Sequence, residues 1–141
     1  MIRDVEEKPR GFYAVAIRQD FIAQHYLIGD ALEPEKQRHS HCYRVEVELE
    51  GSTLNEQGYL VDIVEVESHL KELLACYQDK TLNELPEFRD LNPSIEHFAR
   101  ILCQALPDRL KAPNLNALTI RVWEGANAWA FYRQDLSCAS V

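Results

Sequence analysis

From Gly11 to Leu27 the apolar residues fall on alternate positions, Tyr13, Val15, Ile17, Phe21 and Ala23, with His25 closing the row. Side chains alternate across an extended chain, so these residues share one side. The stretch reads as a long strand, and Arg18–Asp20 is where a bend or break would fall. The same period returns at Tyr43, Val45, Val47 and Leu49 against Arg44, Glu46, Glu48 and Glu50, the pattern of a half-buried antiparallel strand. The period then changes. Ile63, Val66, Leu70, Leu73, Leu74 and Tyr77 recur at helical spacing and predict an amphipathic helix. After Asn92-Pro93-Ser94 a second stripe of Ile95, Phe98, Ala99, Leu102, Cys103 and Leu106 predicts another helix, with Ser94 as N-cap and Pro107 as its end. ALTIRVWE and AWAFYR, joined through Gly125-Ala126-Asn127, read as a strand pair with a tight connection. The order ββααββ predicts an α+β fold, a four-stranded antiparallel sheet with two helices packed on one face.

A chain of 141 residues with 46% hydrophobic content suits one domain spanning 1–141. No apolar run approaches the roughly 20 residues that cross a bilayer, and MIRDVEEKPR lacks the apolar centre of a signal peptide, so a cytoplasmic protein without a membrane partner is expected. Cys42, Cys76, Cys103 and Cys138 show no paired spacing and read as reduced packing thiols. The formal net charge of −8 and the absence of a basic run argue against a nucleic-acid partner held through phosphates. An anionic substrate would need locally placed Lys or Arg.

The segment RHSHCYRVEVELEG places His39 and His41 on the side that continues into Tyr43 and Val45. Such a pair can chelate zinc, and a catalytic zinc takes three protein ligands and keeps a fourth position for water or substrate. His25 is the natural third ligand, since it too ends an apolar strand face. Taken alone, an HxH pair on a strand is more often incidental than metal-binding, so the spacing leaves both readings open. His69 and His97 lie on the predicted helices and read as helix-surface residues.

FIAQH, HSHCYRVEVELEG, GYLVDIVEVESHLKELL, TLNEL, NPSIEHFA and IRVWEG follow one another over roughly residues 12 to 133. In this order they resemble the 6-pyruvoyl-tetrahydropterin synthase family, which includes the bacterial 6-carboxytetrahydropterin synthases. The resemblance implies a catalytic zinc on His25, His39 and His41, with Ser40 where the family usually has glycine. It also implies a tunnelling fold, in which subunits join their sheets into a barrel and the active site lies between protomers. A homo-oligomer follows, expected as a hexamer built as a dimer of trimers. The implied substrate is dihydroneopterin triphosphate, with zinc as a Lewis acid toward the side-chain hydroxyls and the charge left as a proton departs carbon. The implied type is a 6-carboxytetrahydropterin synthase that eliminates triphosphate.

Glu124 matches the family's pterin-anchoring glutamate, and its parity with Leu118, Ile120 and Val122 suits a carboxylate that needs a partner on an apolar face. A strand-end glutamate capped by backbone amides is the alternative. Ser94 stands at a family threonine and is a candidate pterin contact, although its N-cap role would account for it. Asp62, in YLVDI, either supports a zinc histidine or caps the first helix.

The departures concern proton transfer. The family's usual catalytic cysteine is missing from the loop EPEKQR, where Glu33 and Glu35 are the candidate bases. Where the family carries Asp-His after the first helix, this chain has Gln78 and Asp79, leaving Asp79 as a candidate relay. Cys42 points away from the histidine face, and Cys76, at a helix end, reads as a packing residue. Lys36, Arg38 and Lys80 are the cations nearest the site by sequence for a triphosphate. Three functions therefore compete. The first is a zinc lyase using a glutamate base. The second is an altered family member that keeps zinc and a pterin or purine-like ligand without the standard reaction, and the third, least supported, is a metal-free interaction protein.

Overall fold

Alternation carries directly into the architecture. A computed structural model describes residues 10–136. Two long strands, β1 (Tyr13–His25) and β2 (His39–Gly51), form an antiparallel pair whose register runs from Tyr13 opposite Gly51 to His25 opposite His39. The pairing is continuous, so the break expected near Arg18–Asp20 does not occur. Arg18 and Asp20 instead point to the open face of the sheet, where Arg18 Nε meets Glu46 Oε1 at 2.9 Å and Asp20 receives Arg44 Nε at 2.9 Å. Cross-strand ion pairs satisfy the charges and let the ladder run through them.

After α1 (Ile63–Ala75) and α2 (Ile95–Ala105) come β3 (Ala117–Glu124) and β4 (Trp129–Asp135), and the sheet order is β1-β2-β3-β4. Residues 125–128 connect the last two strands, with Gly125 at φ +80°, a conformation that favours glycine. The core lies between one sheet face and the helices. Ile17, Phe21, Ala23, Tyr43, Val45, Val47, Leu49, Leu118, Ile120 and Val122 face Val66, Leu70, Leu74, Phe98, Leu102 and Cys103. Ile63, expected on the buried stripe of α1, is exposed, because it is the first helical residue and sits beyond the edge of the core.

The helix starts follow their capping residues. Asp62 accepts from the backbone N–H groups of Val64 and Glu65, which settles its role as the N-cap of α1. Ser94 accepts from His97 N–H at the start of α2. Cys76 caps the other end of α1 and is exposed, not packed as expected, because it falls off the buried stripe that runs through Leu73, Leu74 and Tyr77. Cys42 is exposed on the open face, Cys103 is buried, and Cys138 lies outside the described residues.

The open face is ionic and aromatic. Glu46 and Glu50, although on the polar parity, are buried, and each is paired with arginine: Arg18 and Arg121 on Glu46, and Arg133 on Glu50. Buried carboxylates need such partners. The free edge of β1 is partly covered by residues 78–81: Gln78 Oε1 accepts from Ile22 N–H, Asp79 N–H donates to the Ile22 carbonyl at 2.7 Å, and Gln24 bridges to Thr81.

Candidate metal centre

Three strand termini meet at one end of the sheet. β1 arrives there with His25, β2 leaves from there with His39 and His41, and β3, antiparallel to β2, arrives with Glu124 opposite Tyr43. Odd parity in the first two strands puts all three histidines on the helix-facing side. Ala23 stands opposite His41, and its small side chain is fully buried.

One potential ligand atom from each of His25, His39 and His41 lies within 4.8 Å of the others. The rings pack edge to face, with centroids 4.6 to 4.8 Å apart. His25 is 1% exposed. Its Nδ1 lies 3.1 Å from the Pro93 carbonyl and 3.0 Å from the Tyr43 hydroxyl, while its Nε2 lies 3.0 Å from Nε2 of His39. His39 Nδ1 in turn lies 2.8 Å from the Gln37 carbonyl.

A carbonyl only accepts, so in both rings Nδ1 carries the hydrogen and Nε2 is left as a lone pair. Two lone pairs facing each other at 3.0 Å repel unless a cation or a proton lies between them. A proton is disfavoured. Burial, then the charges of His41 and His39, lower the His25 imidazole to about 4 from its ordinary 6.5. His41 adds a buried Nε2 with no hydrogen-bond partner. Glu124 Oε1 lies 3.1 Å from that atom, but without hydrogen-bond alignment. Three imidazoles with orphaned nitrogens turned to one point fit a divalent cation that accepts nitrogen ligands, zinc foremost.

The carboxylate expected to hold a ring ligand therefore stands at the centre's edge. Glu124 is half-buried beside His41, not capped by backbone amides. Burial, with the Glu124 charge adding to it, pushes the neighbouring Tyr43 phenol far up, so that group stays neutral. Ser94 is used as a helix cap, yet it directly follows the Pro93 carbonyl that holds His25.

The 6-pyruvoyl tetrahydropterin synthase family model matches residues 14–135. The chain belongs to this family. No curated protein sequence matches it at a significant level. Solved structures that resemble it include a 6-pyruvoyl tetrahydropterin synthase from Plasmodium falciparum, at 13% identity and TM-score 0.76, covering 89% of this chain and 99% of that one. The Caenorhabditis elegans 6-pyruvoyl tetrahydropterin synthase matches at 18% identity and TM-score 0.71, covering 91% and 99%. A Plasmodium vivax 6-pyruvoyltetrahydropterin synthase with a catalytic glutamate changed to alanine matches at 13% identity and TM-score 0.74, covering 89% and 99%. These likenesses identify the fold as the tunnelling fold of 6-pyruvoyl tetrahydropterin synthases.

Within this member of the 6-pyruvoyl tetrahydropterin synthase family the acid–base candidates stand apart from one another. Glu33 and Glu35 are exposed on a 3-10 helix, Glu33–Lys36, in the connection between His25 and His39. The Glu35 carbonyl accepts from Leu27 N–H, which ties this turn to the residues just past His25. Asp79 sits on the outer edge of β1 at φ 61°. Of the three cations expected near a triphosphate, Lys36 lies 3.7 Å from Glu33 and Arg38 2.9 Å from Glu84, and Lys80 is exposed.

Sequence reasoning missed the residues that hold the site's backbone. Asn83 binds both the N–H and the carbonyl of Tyr26, and Asn92 accepts from Ile28 N–H, pinning the chain as it leaves His25. Asparagine between helix and loop signals a turn, not its distant partner. His97, read as a surface residue, is half-buried, with Nδ1 2.7 Å from the Asn92 carbonyl.

Proposed function

We propose that this protein is a zinc-dependent lyase acting on dihydroneopterin triphosphate, of the 6-carboxytetrahydropterin synthase type, with loss of triphosphate. The observation that carries this reading is the convergence of the His25, His39 and His41 nitrogens beside the Glu124 carboxylate. His25, His39 and His41 would hold the zinc, which supplies Lewis acidity toward the substrate's side-chain hydroxyls and toward charge developing at carbon. Glu124 would leave His41 and accept the donor edge of the pterin ring, a bidentate contact for which a half-buried carboxylate is suited. Ser94, at the mouth of α2, would flank that ring.

Proton abstraction falls to Glu35 or Glu33, on the turn tied to the residues after His25. A catalytic glutamate in the Plasmodium vivax relative supports a carboxylate in this role. Asp79 lies on the sheet edge, where a neighbouring chain would join; from there it would serve a neighbour's site as a proton relay. Edge-to-edge joining of whole single-domain chains into a barrel, a trimer doubled to a hexamer, removes the unpaired edges of β1 and β4. A cytoplasmic enzyme with no nucleic-acid or membrane partner is consistent with the charge and with no helix among the described residues being long and apolar enough to cross a membrane.

One observation favours a second reading, a family member that binds zinc and a pterin or related purine-like ligand without the standard reaction. The residue preceding Asp79 is Gln78, whose side-chain oxygen is engaged with Ile22 N–H and offers no base. Metal analysis and triphosphate release from dihydroneopterin triphosphate, run on one preparation, separate the readings. One zinc per chain with turnover is the expected result; zinc without turnover selects the second reading, and metal-free protein sinks both.

A further inference from the structure

Tyr43 has no assigned part in the chemistry, yet its hydroxyl is placed on a ligand of the metal centre. The ring is fully buried, packing against Phe21 at 5.4 Å and Phe98 at 5.5 Å between centroids. Its hydroxyl lies 3.0 Å from Nδ1 of His25. Strand β2 therefore carries, on consecutive inward positions, His39, His41 and the hydroxyl that touches the third histidine. Across the sheet Tyr43 is the register partner of Glu124.

The Pro93 carbonyl, 3.1 Å from the same nitrogen, favours a hydrogen on Nδ1. The phenol oxygen, 3.0 Å away, can accept a share of that hydrogen. If His25 were the other tautomer, Nδ1 would face the carbonyl lone pair, and Nε2 would present a hydrogen to the ligand cluster. Both contacts on Nδ1 are buried, away from competing water. Of the two, only the tyrosine contact is a side chain that a substitution can remove cleanly.

We propose that Tyr43 is a positioning residue for the metal centre: with the Pro93 carbonyl, its hydroxyl locks His25 in the tautomer and ring orientation that present Nε2 to the metal. This rests on the reading of His25, His39 and His41 as a zinc site. Groups that hydrogen-bond the non-ligating nitrogen of a metal-bound histidine set its tautomer and basicity, and their loss commonly lowers metal affinity about 10- to 100-fold. Because the carbonyl stays, the effect here should fall near the lower end, about 10-fold.

Tyr43→Phe keeps the ring packing and removes only the hydroxyl. Zinc affinity of the full chain is measured by competition with a chromophoric chelator, and the His25 tautomer in metal-free protein by long-range proton–nitrogen NMR correlations. The expected result is an approximately tenfold weaker zinc complex and a mixed tautomer in the variant, against a single Nδ1–H tautomer in the wild type. Equal affinity and an unchanged tautomer would overturn the proposal. Should the variant fail to fold, the wild-type spectrum decides: an Nε2–H tautomer of His25 overturns the proposal, and Nδ1–H with a hydroxyl proton protected from exchange upholds it. Wild-type protein that binds no zinc defeats the zinc reading, while the NMR arm still tests the contact on its own.

Discussion

The histidines and the loop glutamates both supply polar groups to the proposed chemistry, but their surroundings differ. His25 and His39 face each other in the register of two paired strands, with each Nδ1 held at a backbone carbonyl. Glu33 and Glu35 stand exposed on a four-residue 3-10 helix, and Glu33 lies 3.7 Å from Lys36 Nζ. Strand register preorganises the ligands within a single chain. A carboxylate on a short exposed turn retains rotamer freedom, so substrate or a neighbouring chain must fix it, and ordering a glutamate side chain costs roughly 1.5–2 kcal/mol. Metal binding should thus withstand changes that abolish turnover.

The sharpest break of that contrast is on the strand side. His41→Ala should remove stoichiometric zinc altogether, as read by elemental analysis after dialysis, because a catalytic-type site keeps only three protein ligands. Retention of one zinc per chain would mean that His41 is not a ligand. On the loop side, Glu33→Gln and Glu35→Gln should retain zinc, and one of them should lower kcat by about 10²- to 10⁴-fold, the usual contribution of a general base. If neither variant slows triphosphate release, the base lies elsewhere, and Asp79→Asn is the next variant to assay.

A smaller effect concerns acid. The folded chain holds His25 at about 4 against an ordinary 6.5, so it refuses a proton that the unfolded chain accepts. Above about pH 6.5 both states are neutral at this residue and nothing is lost; as pH falls from 6.5 toward 4, unfolding takes up the proton and stability declines. The lowering from 6.5 to about 4 corresponds to a decline on the order of 3 kcal/mol. Urea titrations of metal-free protein at pH 7 and pH 4.5 measure it, with His25→Gln as the control whose pH slope should be flatter. Parallel slopes would show that another group governs acid stability.

Much of this was readable from residue order. Period-two rows at Phe21-Ala23-His25 and His39-His41-Tyr43 put the ligands on one face, and the caps Asp62 and Ser94 fell where short polar side chains precede apolar stripes. The continuity of β1 was not readable, since Arg18 and Asp20 look like an interruption until Glu46 and Arg44 are seen across the ladder. Nor was the exposure of Ile63, at the start of α1: helical spacing marks a stripe but not where the core beneath it begins.

Parity, the kind of each long element and the chemical nature of the ligands follow from residue order, because these depend on neighbours a few positions apart. Tertiary structure alone decided that His25 meets His39, that the carbonyls of Pro93 and Gln37 choose the tautomers, and that Glu124 reaches His41. Those contacts join residues far apart in the chain, and no local preference encodes a partner 68 positions away such as Pro93 for His25. They come into being only when strand register and helix packing are both complete.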